Sequence, residues 1–343
     1  MARRPTIPDL ARAAGVSPST VNRVIGGSPS VRQPTRARVL HAAERIGFYG
    51  LGSIEHSNRK NRETHRIGVL LQQENRSFYR DLGDAFERAA TCYTDGAINL
   101  TLEFLDDLSP ENVAARLVSL GEGCESVALV AAQHALVSDA IDSVQGAGVP
   151  VFGLIAPLSA RGNVGFVGID NWKVGRTAAW AFNKICRKPG KIGILVGNHR
   201  YRNQEMNESG FRSYFREHSA GFTLLEPQST FESSAVAREL TEQLFAAHPD
   251  MRGLYVSGGG ITGALAALRD RELAEGFVSV GYELFSATRA GLIDGTLTLV
   301  ISHPMEAFAK EAVSSMVKAK NAPPGAGTQS VTLRFEIHTS ENV

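Results

Sequence analysis

Hydrophobic residues near the N-terminus recur at helical spacing in two short runs, Ile7, Leu10, Ala11 and Ala14, then Val21, Val24 and Ile25. Each run predicts a helix with one face to bury, and the pair can bury against each other. Gly15-Val16-Ser17 separates them. The glycine can end the first helix in the left-handed conformation, Ser17 is placed to cap the second, and Pro18 suits its first position. A third helix is predicted from Pro34 to Ile46, with Ala37, Leu40, Ala43 and Ile46 on its apolar side and Arg36, Arg38 and Arg45 outside. The stretch GLGSIEHSNRKNRETH, residues 50–65, then reads as a linker.

From Arg66 the pattern changes to short β-rich runs alternating with helical stretches. Strands are predicted at Ile67–Leu71, Leu100–Leu105, Val127–Ala131, Val149–Leu154, Val164–Ile169, Ile192–Val196, Leu254–Ser257, Val278–Gly281 and Leu297–Ser302. Helical stretches such as Tyr79–Cys92, Asn112–Leu120, Trp172–Ile185, Glu208–Glu217 and Ala235–Ala246 lie between them. Such alternation builds parallel sheets, and nine strands over this length favour two doubly wound lobes. The expected organisation is an all-α head at 1–49, a hinge at 50–65 and an α/β body at 66–343 with two parallel-sheet lobes. A ligand would sit between the lobes, where loops converge at strand C-terminal ends.

Charge changes the picture of the head. The 343 residues carry a net charge of only +1, yet Met1 to Arg66 hold twelve Lys/Arg against four Asp/Glu. The remainder holds twenty-four against thirty-one. A basic head favours a polyanionic partner. The outward face of the second helix offers Ser19, Thr20, Asn22 and Arg23, groups suited to phosphates and base edges in a major groove. The two helices therefore read as a DNA-binding helix-turn-helix, and charge argues against an ordinary helical hairpin.

Three cysteines, Cys92, Cys124 and Cys186, lack metal-like spacing, so buried or incidental thiols in a reducing cytoplasm are expected, with no metal. No signal core follows the first residues, and no apolar run approaches the roughly eighteen residues of a membrane span. Neither secretion nor membrane insertion is expected.

The segment TIPDLARAAGVSPSTVNRV resembles the N-terminal signature of the lac repressor/galactose repressor family, T-I-x-D-V-A-x-x-A-G-V-S-x-x-T-V-S-R-V. The likeness continues through Val31, Thr35, Arg38, Val39, Ala42, Ala43, Ile46, Gly47 and Phe48. Carried over by position, it implies base reading by Pro18, Ser19 and Arg23 and phosphate contacts from Thr6, Ser17, Thr20 and Asn22. Pro18 has no side-chain donor, and Asn22 stands where the family usually has Ser. In the linker, Ser57 falls where the family places a leucine wedge for the minor groove. Leu51 or Ile54 could replace it, or could simply pack.

The body resembles periplasmic sugar-binding proteins of type I and the matching effector domain of that repressor family. The resemblance implies a sugar or polyol effector and a homodimer or tetramer on operator DNA. Asn75, Phe78 and Tyr79 follow the first strand and resemble an Asn-Pro-aromatic-aromatic motif, in which a ring covers a pyranose face; packing against the next helix is the alternative. Asp170-Asn171, before Gly175, resembles D-N-x-x-x-G, although capping the following helix would suffice for Asp170. Asn207 replaces a ligand-clamping Arg before Gly210-Phe211, and Arg200, Arg202 or Glu208 could compensate. Gly258-Gly259-Gly260 stands where Asn-Asp is common, Gly281-Tyr282-Glu283 replaces Gly-Phe-Asp, and His303-Pro304 follows a strand. Gly259, Glu283 and His303 complete the candidate effector set.

Two rival readings use the same residues. Gly258-x-Gly260-x-x-Gly263, with Glu283 twenty residues beyond the last glycine, formally satisfies a dinucleotide fingerprint and would fit an NAD-dependent oxidoreductase. No convincing proton-transfer constellation accompanies it, and no serine elbow, zinc motif or Walker loop is present. A solute-binding module without regulatory output has no need of the basic head. The favoured reading is a cytoplasmic transcriptional repressor without cofactor or catalytic residues.

Overall fold

The computed structural model describes residues 4–28, 30–50, 52, 63–218, 221–323 and 329–343. Leu51 and Ile54, the candidate hinge residues, lie outside them. Two compact units result: residues 1–65 with 91–99, and residues 66–90 with 100–343.

The head contains α1 (Ile7–Ala14), α2 (Pro18–Ile25) and α3 (Gln33–Ile46). The predicted turn chemistry is realised locally. Thr6 donates its backbone N–H and hydroxyl to Asp9 at 2.9 and 2.6 Å, and Gly15 closes α1 at φ 63°. Ser17 caps α2 by accepting from the Thr20 N–H at 3.2 Å. Leu10, Ala11, Ala14, Val21 and Val24 meet Val39, Ala42, Ala43 and Phe48 in the core. The third helix differs from its sequence reading. Ala37 is exposed, whereas Arg36 is buried, with Nε donating to the Val31 carbonyl and Nη2 to that of Ser28. An arginine whose donors find carbonyls can face inward, and here it ties the loop before α3 to the helix.

The body has two lobes. The first comprises β1 (Thr64–Gln72), α4 (Ser77–Cys92), β2 (Ala97–Leu105), α5 (Pro110–Gly123), β3 (Ser126–Leu129), α6 (Ala135–Gly146), β4 (Val151–Leu154) and β5 (Gly165–Ile169). The second comprises α7 (Asn171–Ile185), β6 (Lys191–Val196), α8 (Arg202–His218), β7 (Thr223–Leu224), β8 (Gln228–Ser229), α9 (Ser234–Ala247), β9 (Met251–Val256), α10 (Ile261–Arg269), β10 (Val278–Tyr282), α11 (Ser286–Ile293) and β11 (Leu299–Ser302). The chain then returns to the first lobe as α12 (Met305–Lys320) and β12 (Ser330–Leu333), and ends in the second as β13 (Glu336–His338).

Strand order is β12-β5-β4-β3-β1-β2 in one sheet and β13-β11-β10-β9-β6-β7 in the other, with β8 also on β6. The inner pairings are parallel, and β13 joins β11 antiparallel. All nine predicted strands are present. The short β7, β8, β12 and β13 were not predicted, since their residues are polar or alternate on a sheet edge. The chain crosses between lobes three times, after β5, after β11 and after β12.

Close packing of α7 on α8 shapes the second lobe. A Cβ added at Gly175 would lie 1.9 Å from the Asn207 carbonyl oxygen, and one at Gly210 would lie 2.3 Å from that of Trp172. The two glycines let the helix backbones touch. Phe182 and Phe211 are then buried beneath them, and Phe211 stacks on Tyr255. Gly175→Ala should therefore cost about 1–3 kcal/mol by overpacking. Gly146→Ala, at the exposed end of α6 with nothing within 4 Å of the new methyl, should cost less than about 0.5 kcal/mol. Urea unfolding of both variants checks the contrast.

Candidate functional site

A cavity of ≈ 450 Å³ lies between the lobes, at the C-terminal ends of strands in both sheets. The first lobe contributes the loop after β1, from Asn75 to Tyr79, and Ile155 after β4. The second contributes Asn203 and Gln204 from α8, Glu232 before α9, the glycine loop after β9, Tyr282 at the end of β10, and Glu283 and Phe285 just beyond it.

Of the sequence-predicted effector residues, Asn75, Phe78, Tyr79, Gly259 and Glu283 line this cavity. His303 lies behind the wall. Its Nδ1 is 2.6 Å from Glu283 Oε1 and its backbone N–H donates to Oε2 at 3.1 Å. The structure places the others elsewhere. Arg202 reaches across the lobes to the Ser159 hydroxyl at 2.6 Å, and the Arg200 carbonyl accepts from the Gln133 N–H at 3.0 Å, so both join the lobes outside the cavity wall. Asp170 caps α7 by accepting from the Lys173 N–H at 3.1 Å and ion-pairs with the Lys173 ammonium. Asn207 is fully buried in α8 and is not in the wall. Glu208 pairs with Arg212 in a separate surface depression.

Two charged wall residues were missed by sequence reading. Arg76 Nη1 donates to Glu232 Oε2 and Nη2 to the Glu232 carbonyl, both at 3.0 Å, which links the lobes. Gln204 Nε2 donates to Glu232 Oε1 at 2.7 Å. The carboxylate occupies space that glycines leave open. An added Cβ at Gly197 would lie 1.9 Å from Oε1, and one at Gly259 would lie 1.8 Å from Oε2. Arg76 sits beside the predicted Asn75 and could have been found with it. Glu232 lies in a polar stretch without periodicity, and nothing in its neighbours signals a site.

Backbone strain gathers at the same place. Among the described residues, the non-glycine residues with positive φ are Ile155, Phe231, Glu232 and Glu283. Three of these line the cavity and Phe231 adjoins it in sequence. Such conformations cost roughly 1–3 kcal/mol each and persist only where surrounding contacts enforce them. Burial, foremost, pushes the Tyr79 hydroxyl well above the usual phenol range, and it pushes Tyr201 up to about 12. Both phenols stay protonated at neutral pH. Tyr201 accepts from Gln72 Nε2 at 2.6 Å in a further contact between lobes.

The glycine loop answers to its own lobe. An added Cβ would strike Gln204 from Gly258, Glu232 from Gly259, and the Ser234 carbonyl, at 1.7 Å, from Gly263. Glu283 is engaged by His303. At Gly259 an anionic ligand would meet the Glu232 carboxylate rather than a free backbone cradle.

In the head, Ser17, Pro18, Ser19, Asn22 and Arg23 are exposed, while Thr6 and Thr20 are half-buried. Ser17 holds Ser19 and Thr20 by hydroxyl contacts at 2.8 and 2.9 Å. The cap thus orients two neighbouring hydroxyls, and Asn22 and Arg23 extend the same polar side of α2.

Residues 67–323 match the model of the periplasmic binding protein domain, and residues 6–50 match that of bacterial regulatory proteins of the lacI family. The chain belongs to the periplasmic binding protein domain family, joined here to a lacI-family head. It is 25% identical over 334 residues to the ribose operon repressor of Bacillus subtilis, covering 94% of each chain. It is 28% identical over 171 residues to catabolite control protein A of Priestia megaterium, covering 48% of this chain and about half, 47%, of that one. Among solved structures it resembles a periplasmic solute-binding protein of Actinobacillus succinogenes with bound D-allose, at TM-score 0.72, 18% identity and coverage of 81% and 98%. It also resembles a glucose-galactose binding protein of Geobacillus stearothermophilus, at TM-score 0.73, 15% identity and coverage of 82% and 99%.

Arg76→Ala leaves Glu232, whose side chain is 12% exposed, without its cation. The variant should lose about 1–3 kcal/mol of stability and populate a more open body. Denaturant unfolding and the radius of gyration from small-angle scattering check these outcomes; an unchanged radius and midpoint would remove the pair from any part in closure.

Proposed function

We propose that this chain is a sequence-specific DNA-binding repressor whose operator affinity is set by a sugar or polyol held between the lobes of its body. The observation that carries the reading is the joining, in one chain, of a capped helix pair with an exposed Ser19-Asn22-Arg23 face to a two-lobed body with a strained, polar cavity. The lacI-family match of the head and the ribose operon repressor, similar over both parts, support it. The allose-bound solute receptor, which shares the fold, is consistent with a hydroxylated ligand in the cleft.

The mechanism is linkage. One small head makes few base contacts, so a homodimer or tetramer must hold two heads at a fixed half-site spacing. A ligand with unequal affinity for open and closed lobes then changes operator affinity by the same coupling free energy. No covalent step is needed. A glycine loop that faces the chain's own Glu232 carboxylate at Gly259 gives no support to a dinucleotide enzyme. The operator places the protein in the cytoplasm, and among the described residues no helix is long and apolar enough to cross a membrane.

In this scheme Ser19 and Arg23 read bases, Pro18 contributes shape, and Thr6, Ser17, Thr20 and Asn22 position the head on phosphates. Asn75, Phe78, Tyr79 and Glu283 contact the effector. Arg23→Ala should lose about 1–3 kcal/mol of discrimination between operator and mutated duplex, while retaining salt-dependent binding to both. Asn75→Ala should keep operator affinity and lose the effector response. Fluorescence anisotropy with labelled duplexes checks both, and undiminished discrimination by Arg23→Ala would overturn its assignment.

A further inference from the structure

We infer that Glu232 is an internal anion that fixes the charge of the effector: the cleft takes a neutral or amine-bearing polyol and rejects phosphorylated and acidic sugars. This deepens the proposed function and rests on its reading of the cleft as the effector site.

Loops at the start of helices and an arginine would ordinarily suit an anionic ligand. Here that place is already filled. Glu232 precedes α9, its Oε2 lies where a side chain on Gly259 would stand, and both glycines that flank the carboxylate are bare for it. Arg76 spends its two terminal nitrogens on Glu232, on Oε2 and on the carbonyl. Glu283 adds a second carboxylate to the wall, 2.6 Å from a histidine nitrogen. The wall therefore holds two carboxylates and one guanidinium, and that guanidinium is already paired.

A phosphate or carboxylate brought into this cavity would lose water, face both carboxylates, and gain Arg76 only by breaking an existing pair. A hydroxyl loses much less hydration, an ammonium is drawn to the carboxylates, and neither requires the Arg76–Glu232 pair to break. The lone pairs left on Glu232 accept from either, and Gln204 and Arg76 hold the carboxylate still. The left-handed backbone at Phe231 and Glu232 is what turns that side chain into the cavity from a strand end.

The test uses the full chain and a matched panel read by thermal shift and calorimetry. The panel holds D-ribose, D-allose, D-galactose and myo-inositol, with the amino, phosphorylated and acid derivative of each that exists. The native protein should bind at least one neutral or amino member and bind its phosphorylated or acid counterpart about tenfold to hundredfold more weakly. Glu232→Gln removes the resident charge and frees Arg76, so it should weaken the neutral member and gain binding of the anionic one. Equal or tighter binding of an anionic member by the native protein overturns the inference while leaving the effector reading intact. Preservation of the native preference in Glu232→Gln overturns it as well. Failure of every panel member to bind overturns the reading of the cleft as a sugar or polyol site, and the inference with it. Should the variant not fold, the native series alone decides.

Discussion

Pairing of the partly buried Glu232 carboxylate is the constraint around which the loops of the second lobe are arranged. An ionised carboxylate removed from water must be paired and hydrogen-bonded, and its cation, Arg76, comes from the other lobe. Solvating that charge and closing the lobes are thus one event. Opening would return both partners to water, which compensates much of the lost attraction. The lobes are held together without being locked, a condition for a two-state element that a small ligand can bias.

Other contacts carry the state of the cavity toward the points where the chain crosses between lobes. Tyr282, in the wall, donates its hydroxyl to Asn171 Oδ1 at 3.0 Å, at the start of α7 just after the first crossing. His303, at the second crossing, is held by Glu283 of the wall. A ligand that moves Tyr282 or Glu283 acts directly on two of the three connections. The tight α7–α8 contact at Gly175 and Gly210 makes the adjoining part of the second lobe rigid, so displacement at the first crossing has a stiff element to move.

Much of the architecture was legible because it rests on local signals. Cap and turn residues fixed the head's first two helices, and continuous apolar runs marked every inner strand of both sheets. The third helix was misread on one face, since Arg36 is buried by carbonyl partners that hydrophobicity cannot register. The cavity was legible in part. Asn75, Phe78, Tyr79, Gly259 and Glu283 follow strands directly, and strand ends locate loops. Arg200 lies on a loop that also follows a strand, but Arg202 and Glu208 lie on the helix after it and face Ser159 and the outer surface, and side-chain direction there depends on tertiary packing. Glu232 was invisible because its role comes from an unusual backbone conformation and from glycines distant in sequence.

The last two strands have a consequence for how the two sheets are finished. β12 pairs with β5 at the border of one sheet, and β13, only a few residues later, pairs with β11 at the border of the other. A single short segment thus covers a margin on each lobe. Were it to peel away, two rows of unpaired amide and carbonyl groups would be bared at once, and the protein would become a template for strand-to-strand aggregation. Protection against misassembly in both halves is entrusted to the same stretch of chain that completes the third connection between them.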